Sequence, residues 1–363
     1  MRFVIAGAGA IGAYLGAQMA RAGLDVTLFA RGPHLRAMQE RGIQVRAATG
    51  DFEARPTISG DLEAIGPADV VFLGVKAHSL VDLAPRLAPL FGPETAVVGL
   101  QNGVPWWFLE QMHIERVDPG GVISAAIETR RVIGSIVYFA TEIVEPGVVQ
   151  HIEGNRISLG EPDGSRSDRV RAIAEALIKA GLRCPVTAHI RQEIWVKILG
   201  NVAFNPISAL TRATLVRMVR DPEVNALVRN IMAETECVGK RLGLELPISI
   251  DQRIAGAEKV GEHKTSMLQD LEAGRPLELE AIVGAVIEIG ERLEIPMPGT
   301  RAVYACAKLL AANMLPANPL AANPLTATPP TTNSLTVNPP TTNPPTANPP
   351  AAGYSPKRQR GGS

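Results

Sequence analysis

Aromatic residues are scarce in this 363-residue chain, at 4%, and neither sign of charge is in excess: 36 basic side chains meet 36 acidic ones. A net charge of zero removes the electrostatic footprint that nucleic acid or an anionic membrane surface would need. Cysteine is nearly absent. Cys184, Cys237 and Cys306 are scattered and form no C-x-x-C pair, which argues against a disulfide framework or a zinc site. The six histidines are dispersed, without H-E-x-x-H spacing, so no metal site is expected. No apolar run approaches the roughly 18 residues of a membrane span. No charged segment with a cleavable apolar run opens the chain, so a cytoplasmic protein without a leader is expected. What remains is ordinary: 46% hydrophobic residues, and enough length for two domains with cores of their own.

The first half alternates between strands and helices. Arg2 to Ala6 is a short apolar run, followed at once by Gly7-Ala8-Gly9-Ala10-Ile11-Gly12, then a helical stretch from Ala13 to Ala22 and a second strand from Leu24 to Ala30. Strand, G-x-G-x-x-G, helix and strand within about 30 residues is the context in which this motif binds a dinucleotide. Gly7 allows the tight turn, Gly9 lets backbone approach a pyrophosphate, and Gly12 lets helix and strand pack closely, with the helix N-terminus facing the phosphates. An NAD site usually ends its second strand in Asp or Glu. Here the strand ends Phe29-Ala30-Arg31, and Arg31 suits the 2′-phosphate of NADP.

Further on, Gly42 to Ala48 and Phe52 to Ile58 are expected to pair as a hairpin. Asp69 to Val75 is an apolar strand ending in Lys76, Ser79 to Leu90 a helix, and Thr95 to Leu100 a strand ending in Gln101-Asn102-Gly103. Such alternation predicts a parallel, doubly wound sheet whose ligands bind beyond the carboxyl ends of its strands, where Lys76 and Asn102 both fall. Trp106 and Trp107 follow directly, and could line a substrate pocket or belong to the core or an interface. Gly121 to Glu161 looks like strands and turns, Arg169 to Gly181 like an amphipathic helix, and Cys184 to Thr187 completes a first domain, residues 1–187.

From residue 188 to 313 helical segments dominate: Arg191 to Leu210, Pro222 to Leu242, Ile250 to Ala257, Leu279 to Leu293 and Thr300 to Ala312. An all-helical second domain closing over the first would create a cleft between them. Its first helix contains Trp195-Val196-Lys197-Ile198-Leu199-Gly200-Asn201-Val202-Ala203-Phe204-Asn205-Pro206. Lys197, Asn201 and Asn205 recur every four residues and fall within roughly 80° of one another on the helix. A helix apolar on its other sides is buried, and a buried Lys is costly unless paired. The three could brace two helices, or form a proton donor beside amides that orient a small polar ligand. Thr265 or Ser266 could cap a helix, and Glu278 could complement a helix dipole.

Beyond Leu315 a five-residue repeat of the type N-P-x-T-A takes over, and twelve of the 29 prolines lie past residue 314. Such a segment, residues 314–363, is expected to be a disordered tail with polyproline II character.

Together these motifs resemble the ketopantoate reductase family over roughly residues 1–312. The resemblance rests on the opening G-A-G-A-I-G, Lys76 at a strand end, Gln101-Asn102-Gly103, W-x-K-x-x-x-N-x-x-x-N-P at Trp195 to Pro206, and K-T-S-M-L-Q-D at Lys264 to Asp270, with Glu278 twelve residues after Ser266. It implies an α/β Rossmann-type N-terminal domain, an all-α C-terminal domain, and NADPH-dependent reduction of 2-dehydropantoate to (R)-pantoate on the way to pantothenate and coenzyme A. By the same resemblance Lys197 is the general acid, and Glu278 contacts the substrate hydroxyl or orients Lys197. Asn201, Asn205 and Ser266 would bind substrate oxygens, and Asn102 would sit near both cofactor ribose and substrate. The loop from Gly7 to Gly12 would carry the cofactor, with Arg31 and Lys76 facing its phosphate and adenosine side. The partner implied is a small 2-oxo acid, with no nucleic acid and no membrane, and a homodimer is left open. Two departures are expected to reshape the pocket: Val104-Pro105-Trp106-Trp107 after the Asn-Gly pair, and Glu280 where the family usually has Asp. Reduction of another branched 2-oxo acid, or a non-catalytic NADP(H) sensor, are the alternatives.

Overall fold

The apolar run Arg2–Ala6 is strand β1, and its buried residues on both faces place it at the centre of a sheet, as a near-continuous hydrophobic strand requires. The computed structural model describes residues 1–314; the repeat tail expected from Leu315 lies outside the described residues. The other strands are β2 (Asp25–Phe29), β3 (Ile43–Arg46), β4 (Phe52–Ala54), β5 (Thr57–Ser59), β6 (Ala68–Leu73), β7 (Phe91–Gly99), β8 (Val132–Glu145) and β9 (Val148–Gly160). Among the described residues they form one nine-stranded sheet in the order β4-β3-β9-β8-β7-β6-β1-β2-β5. From β5 to β8 every neighbouring pair is parallel, the doubly wound arrangement the alternating sequence predicts.

Strands β8 and β9 decide where the cavity lies. β8 pairs with β7 only at Val132 and Ile133, and from Gly134 onward pairs antiparallel with β9 alone. Its second half is thereby released from the parallel sheet and projects past the carboxyl ends of β1, β6 and β7. Strand β9 continues the curl by pairing parallel with β3.

Prolines account for two differences from the sequence expectation. The hairpin forms only as β3 with β4; Pro56 interrupts the second strand, and β5 crosses to the opposite edge beside β2. The helix expected over Ser79 to Leu90 is α-helical only at Ala77–Leu83 and then breaks into two 3-10 turns at Pro85 and Pro89, which cannot supply the N–H groups of a continuing helix. A third difference lies at Glu280–Gly284, which is π-helical before the α-helix Ala285–Arg292 begins, a local widening often found at functional sites.

In the second half the 22-residue helix Ile190–Thr211 is the centre about which the helices Pro222–Arg241, Ser266–Glu272 and Pro298–Met314 pack, and it also touches β8. Trp195 is fully buried: its indole N–H donates to Thr235 O at 3.1 Å, and its ring stacks on Phe108 at 5.5 Å. Pro206 sits inside this helix, at a cost of about 3 kcal/mol. Burial of Phe204 and Ile207 beside it outweighs that, at about 1.5–3 kcal/mol each. The apolar core on one sheet face runs without a break from Val4, Leu73 and Val97 into Trp195, Ile198 and Val202. The opposite face is covered by the helices Ala10–Arg21 and Asp168–Lys179.

Candidate active site

Beyond the carboxyl ends of β1 and β6 the backbone approaches itself too closely for any side chain. A Cβ on Gly74 would lie 2.2 Å from Gly7 O, and one on Gly12 would lie 2.3 Å from the same oxygen. Gly7 adopts φ 111°, a conformation only glycine takes without strain. Gly9 precedes the helix Ala10–Arg21 and offers no side-chain cap, so the helix's first N–H groups face outward over the strand ends. The result is a cradle with backbone donors, shaped for an anionic ligand.

Two adjoining cavities open from this cradle. The smaller, of about 330 Å³, is lined by Gly7, Ala8, Gly9, Arg31 and His34 among others. The larger, of about 770 Å³, runs from Gly9, Ala10 and Ile11 past Lys76 and Asn102 to Lys197, Asn201, Asn205, Ser266 and Glu278. Every residue expected at the site therefore lines one or both cavities, except Gly12, which lies beneath the loop as a packing glycine. Arg31 lines both and is exposed where they join. His34 accepts from Gly147 N through Nδ1 at 2.9 Å, and its buried Nε2 has no partner among the described residues. Burial pushes its pKa down, and the backbone of Ala8 pulls it back up.

Lys197 is half-buried, with Nζ donating to Val137 O at 2.7 Å on the released part of β8. One of three ammonium donors is thus spent on backbone. Its pKa is pushed down to about 8, the net of burial pushing it down, Glu278 pulling it up and Arg253 pushing it down. Glu278 is itself buried. One of its carboxylate oxygens accepts from Ala77 N at 3.2 Å, capping the helix Ala77–Leu83, and the other faces Asn102 Nδ2 at 3.5 Å. Asn205 is buried too, and its Nδ2 finds no partner among the described residues, an orphaned donor on the wall that carries Lys197. Thr265, rather than Ser266, caps the helix Ser266–Glu272 by accepting from Leu268 N, which leaves Ser266 free at the cavity.

Asn102 is placed by Gly103, whose φ of 89° and close approach to Ala281 O admit no side chain, while Val104 N donates to that oxygen at 2.8 Å. The Asn-Gly turn thus docks on the π-helical segment that follows Glu278. Lys76 is not a free cation: it pairs with the buried carboxylate of Asp270, which also accepts from Arg275 Nε at 2.9 Å.

The two expected departures do not reach the cavity. Trp106 and Trp107 are buried in the core, and neither lines it. The turn at Asn102-Gly103 directs the chain inward, under β8, where Trp107 lies against the space left by Gly134. Glu280 points away from Glu278, to Arg116 and Tyr304, each at 2.7 Å. Conversely Asp270, Arg275 and Arg253 line the cavity and were not singled out from sequence. Asp270 ends the K-T-S-M-L-Q-D motif but was given no role, and Arg253 had a local signal in a glycine, Gly200, inside an otherwise bulky helix, three residues after Lys197 and at the point where Arg253 packs.

Two family models match the chain: "Ketopantoate reductase PanE/ApbA" over residues 3–164 and "Ketopantoate reductase PanE/ApbA C terminal" over residues 189–311. The chain is 49% identical over 319 residues to a 2-dehydropantoate 2-reductase of Mesorhizobium japonicum, covering 86% of this chain and 98% of that one. A second 2-dehydropantoate 2-reductase, from Archaeoglobus fulgidus, is 32% identical over 81% of this chain and 92% of its own length. Among solved structures, a protein of Ralstonia solanacearum MolK2 provisionally named a ketopantoate reductase superposes with a TM-score of 0.83 at 39% identity, over 86% of this chain and 98% of that one. With the glycine cradle, the strand-end Asn102 and the Lys197 helix all falling within the matched stretches, the chain belongs to the ketopantoate reductase family of oxidoreductases.

Proposed function

We propose that this protein reduces 2-dehydropantoate to (R)-pantoate with NADPH, as a step toward pantothenate and coenzyme A. The observation that carries the proposal is a desolvated lysine, its pKa near 8, beside a buried carboxylate and an unpartnered amide in a cavity that adjoins the glycine cradle. A nicotinamide cofactor fits the cradle because Gly9 leaves the first N–H groups of the helix Ala10–Arg21 uncapped, where a pyrophosphate can meet them. The choice of NADPH rests on Arg31, which stands two residues beyond Phe29, the last residue of β2, where an NAD site would carry an acid. When bound, the cofactor supplies the hydride that reduces the C2 carbonyl.

The chain's own residues account for the rest. Lys197 donates a proton to the carbonyl oxygen as C2 is reduced, so the product is a hydroxyl rather than an alkoxide, and the lysine is reprotonated from solvent. Until then its charge stabilises the developing oxyanion. Glu278 keeps Lys197 protonated near neutral pH and accepts from the substrate's hydroxyl. Asn201, Asn205 and Ser266 orient the substrate's oxygens, and Asn102 bridges substrate and cofactor ribose.

The test is NADPH oxidation with ketopantoate beside a panel of other branched 2-oxo acids. A clear preference for ketopantoate supports the assignment; good turnover of a different acid moves the substrate but keeps the mechanism. Tight NADPH binding with no turnover of any acid would overturn it. For the cofactor, Arg31→Ala is expected to weaken NADPH about tenfold while leaving NADH nearly unchanged, consistent with loss of one charge-assisted contact.

A further inference from the structure

Some of the cations around the larger cavity are accounted for by anions within the protein. Lys76 and Arg275 share Asp270, and His263 lies 3.7 Å from Glu153. Arg31 lines both cavities and is exposed where they join, on the side of the glycine cradle. Arg253 differs. It projects from the helix Ile250–Val260 into the larger cavity, with Ala257 and Val260 of the same helix beside it. Its Nε is buried and has no hydrogen-bond partner among the described residues, and no carboxylate among them faces it; burial pushes its pKa down, and only Tyr138 pulls it back. An arginine stays charged in such a place, so its guanidinium carries a desolvation cost without compensation.

The helix Ile190–Thr211 is built to admit it. A Cβ on Gly200 would lie 2.2 Å from Arg253 Nη2 and 2.6 Å from its Cζ, so the guanidinium lies against bare helix backbone. Gly200 precedes Asn201 and follows Lys197 by three residues, which places the guanidinium beside the face that carries the proposed proton donor. Glu278, Arg253 and Lys197 line the same cavity, and the first two act on the Lys197 pKa in opposite senses.

We propose that Arg253 is the anchor for the substrate's carboxylate, and that the unlike charges of Arg253 and Glu278, in the cavity that holds Lys197, set the direction in which a 2-oxo acid enters. This rests on the reductase activity proposed above and names a residue for its specificity. A planar guanidinium matches a carboxylate through two parallel N–H···O bonds, the missing partners of the buried fork. Glu278 repels a carboxylate at its own end and accepts from a hydroxyl there. The 2-oxo group then falls between them, at Lys197. A neutral carbonyl compound of the same shape lacks the group that Arg253 holds.

The experiment compares Arg253→Met with the unaltered enzyme on two substrates: ketopantoate and its neutral primary amide. The expected result is a rise of about 10²-fold in KM for the acid, from loss of two charge-assisted bonds, with kcat changed much less. Activity on the amide should stay within about threefold, so the preference for the acid collapses. Melting temperature should be unchanged or higher, since no internal ion pair is removed. Two companions hold the test together if Arg253→Met folds poorly: Arg253→Lys keeps the charge without the fork, and Gly200→Ala favours the helix while its methyl displaces the guanidinium. Both should raise KM for the acid selectively. A KM for ketopantoate within threefold of the unaltered enzyme, or equal losses on acid and amide, would overturn the anchor while leaving the reductase assignment intact. Failure of the unaltered enzyme to reduce any 2-oxo acid would overturn both.

Discussion

Two lysines face the same cavity, and their surroundings make them different reagents. Lys76 stands at the carboxyl end of β6 with its ammonium against Asp270, a carboxylate shared with Arg275. Lys197 sits in the middle of a long helix, bound to a single backbone carbonyl, with its pKa brought down to about 8 by burial. A lysine held by a carboxylate is a fixed positive charge, suited to binding. A lysine held by a carbonyl in a desolvated wall gives up its proton readily, which suits acid catalysis. Residue type is the same at both places; the partner decides the chemistry.

The largest effect that could break this comparison is removal of each ammonium in turn. Lys197→Ala is expected to lower kcat by about 10²- to 10⁴-fold, the usual worth of a general acid, with NADPH affinity unchanged by fluorescence titration. Lys76→Ala should do the reverse, raising the Kd for NADPH with kcat within a few-fold. Equal losses of kcat from both substitutions would mean the two lysines are not specialised as described.

Next in size is the cradle from which the cavity of both lysines opens. Gly74→Ala forces a methyl against Gly7 O, a backbone atom that cannot swing aside. Overpacking of this kind costs about 1–3 kcal/mol, read as a lower denaturation midpoint together with weaker NADPH binding. Full stability and affinity in this variant would show that the loop is more pliant than its contacts imply.

Asp270→Asn is smaller. Breaking a fully buried pair costs about 3–5 kcal/mol, but here the side chains of Lys76 and Arg275 are 35% and 45% exposed. Solvent screens them, so about 1–2 kcal/mol of stability is expected to go, alongside a moderate rise in KM for NADPH. The smallest effect is a displacement rather than a loss. A general acid must enter the reaction protonated, so kcat should be sustained below about pH 8 and fall as pH rises through the Lys197 pKa. Glu278 raises that pKa, and the residual activity of Glu278→Gln should therefore show its alkaline limb at lower pH. An unmoved limb would mean that Lys197 is not the group observed.

Much of this arrangement was legible because it is local. Arg2 to Ala6 reads as a buried parallel strand from its apolar run alone, and the glycine loop follows from strand, turn and helix in close succession. The four-residue spacing of Lys197, Asn201 and Asn205 places them on one face wherever the helix packs. The split of the expected hairpin was legible in principle from Pro56, but which edge of the sheet would receive β5 was not, since that depends on the strand it pairs with. Trp106 and Trp107 show the limit most clearly. Their composition suited a pocket or a core equally, and only the docking of Gly103 on Ala281 turned them inward.

By itself, then, the chain's sequence determined the doubly wound first half, the glycine cradle, the helical second half and the identity of the polar groups on the Lys197 helix. These follow from backbone preference and from periodicities of two and 3.6 residues, which act over short distances. Tertiary structure alone decided which charges meet. Asp270 reaches Lys76 from far along the chain, Glu278 caps a helix that begins at Ala77, and Arg253 finds its place against Gly200. Pairing of charges depends on distance in space and on the loss of water around them, and neither is written in the spacing of residues along the chain.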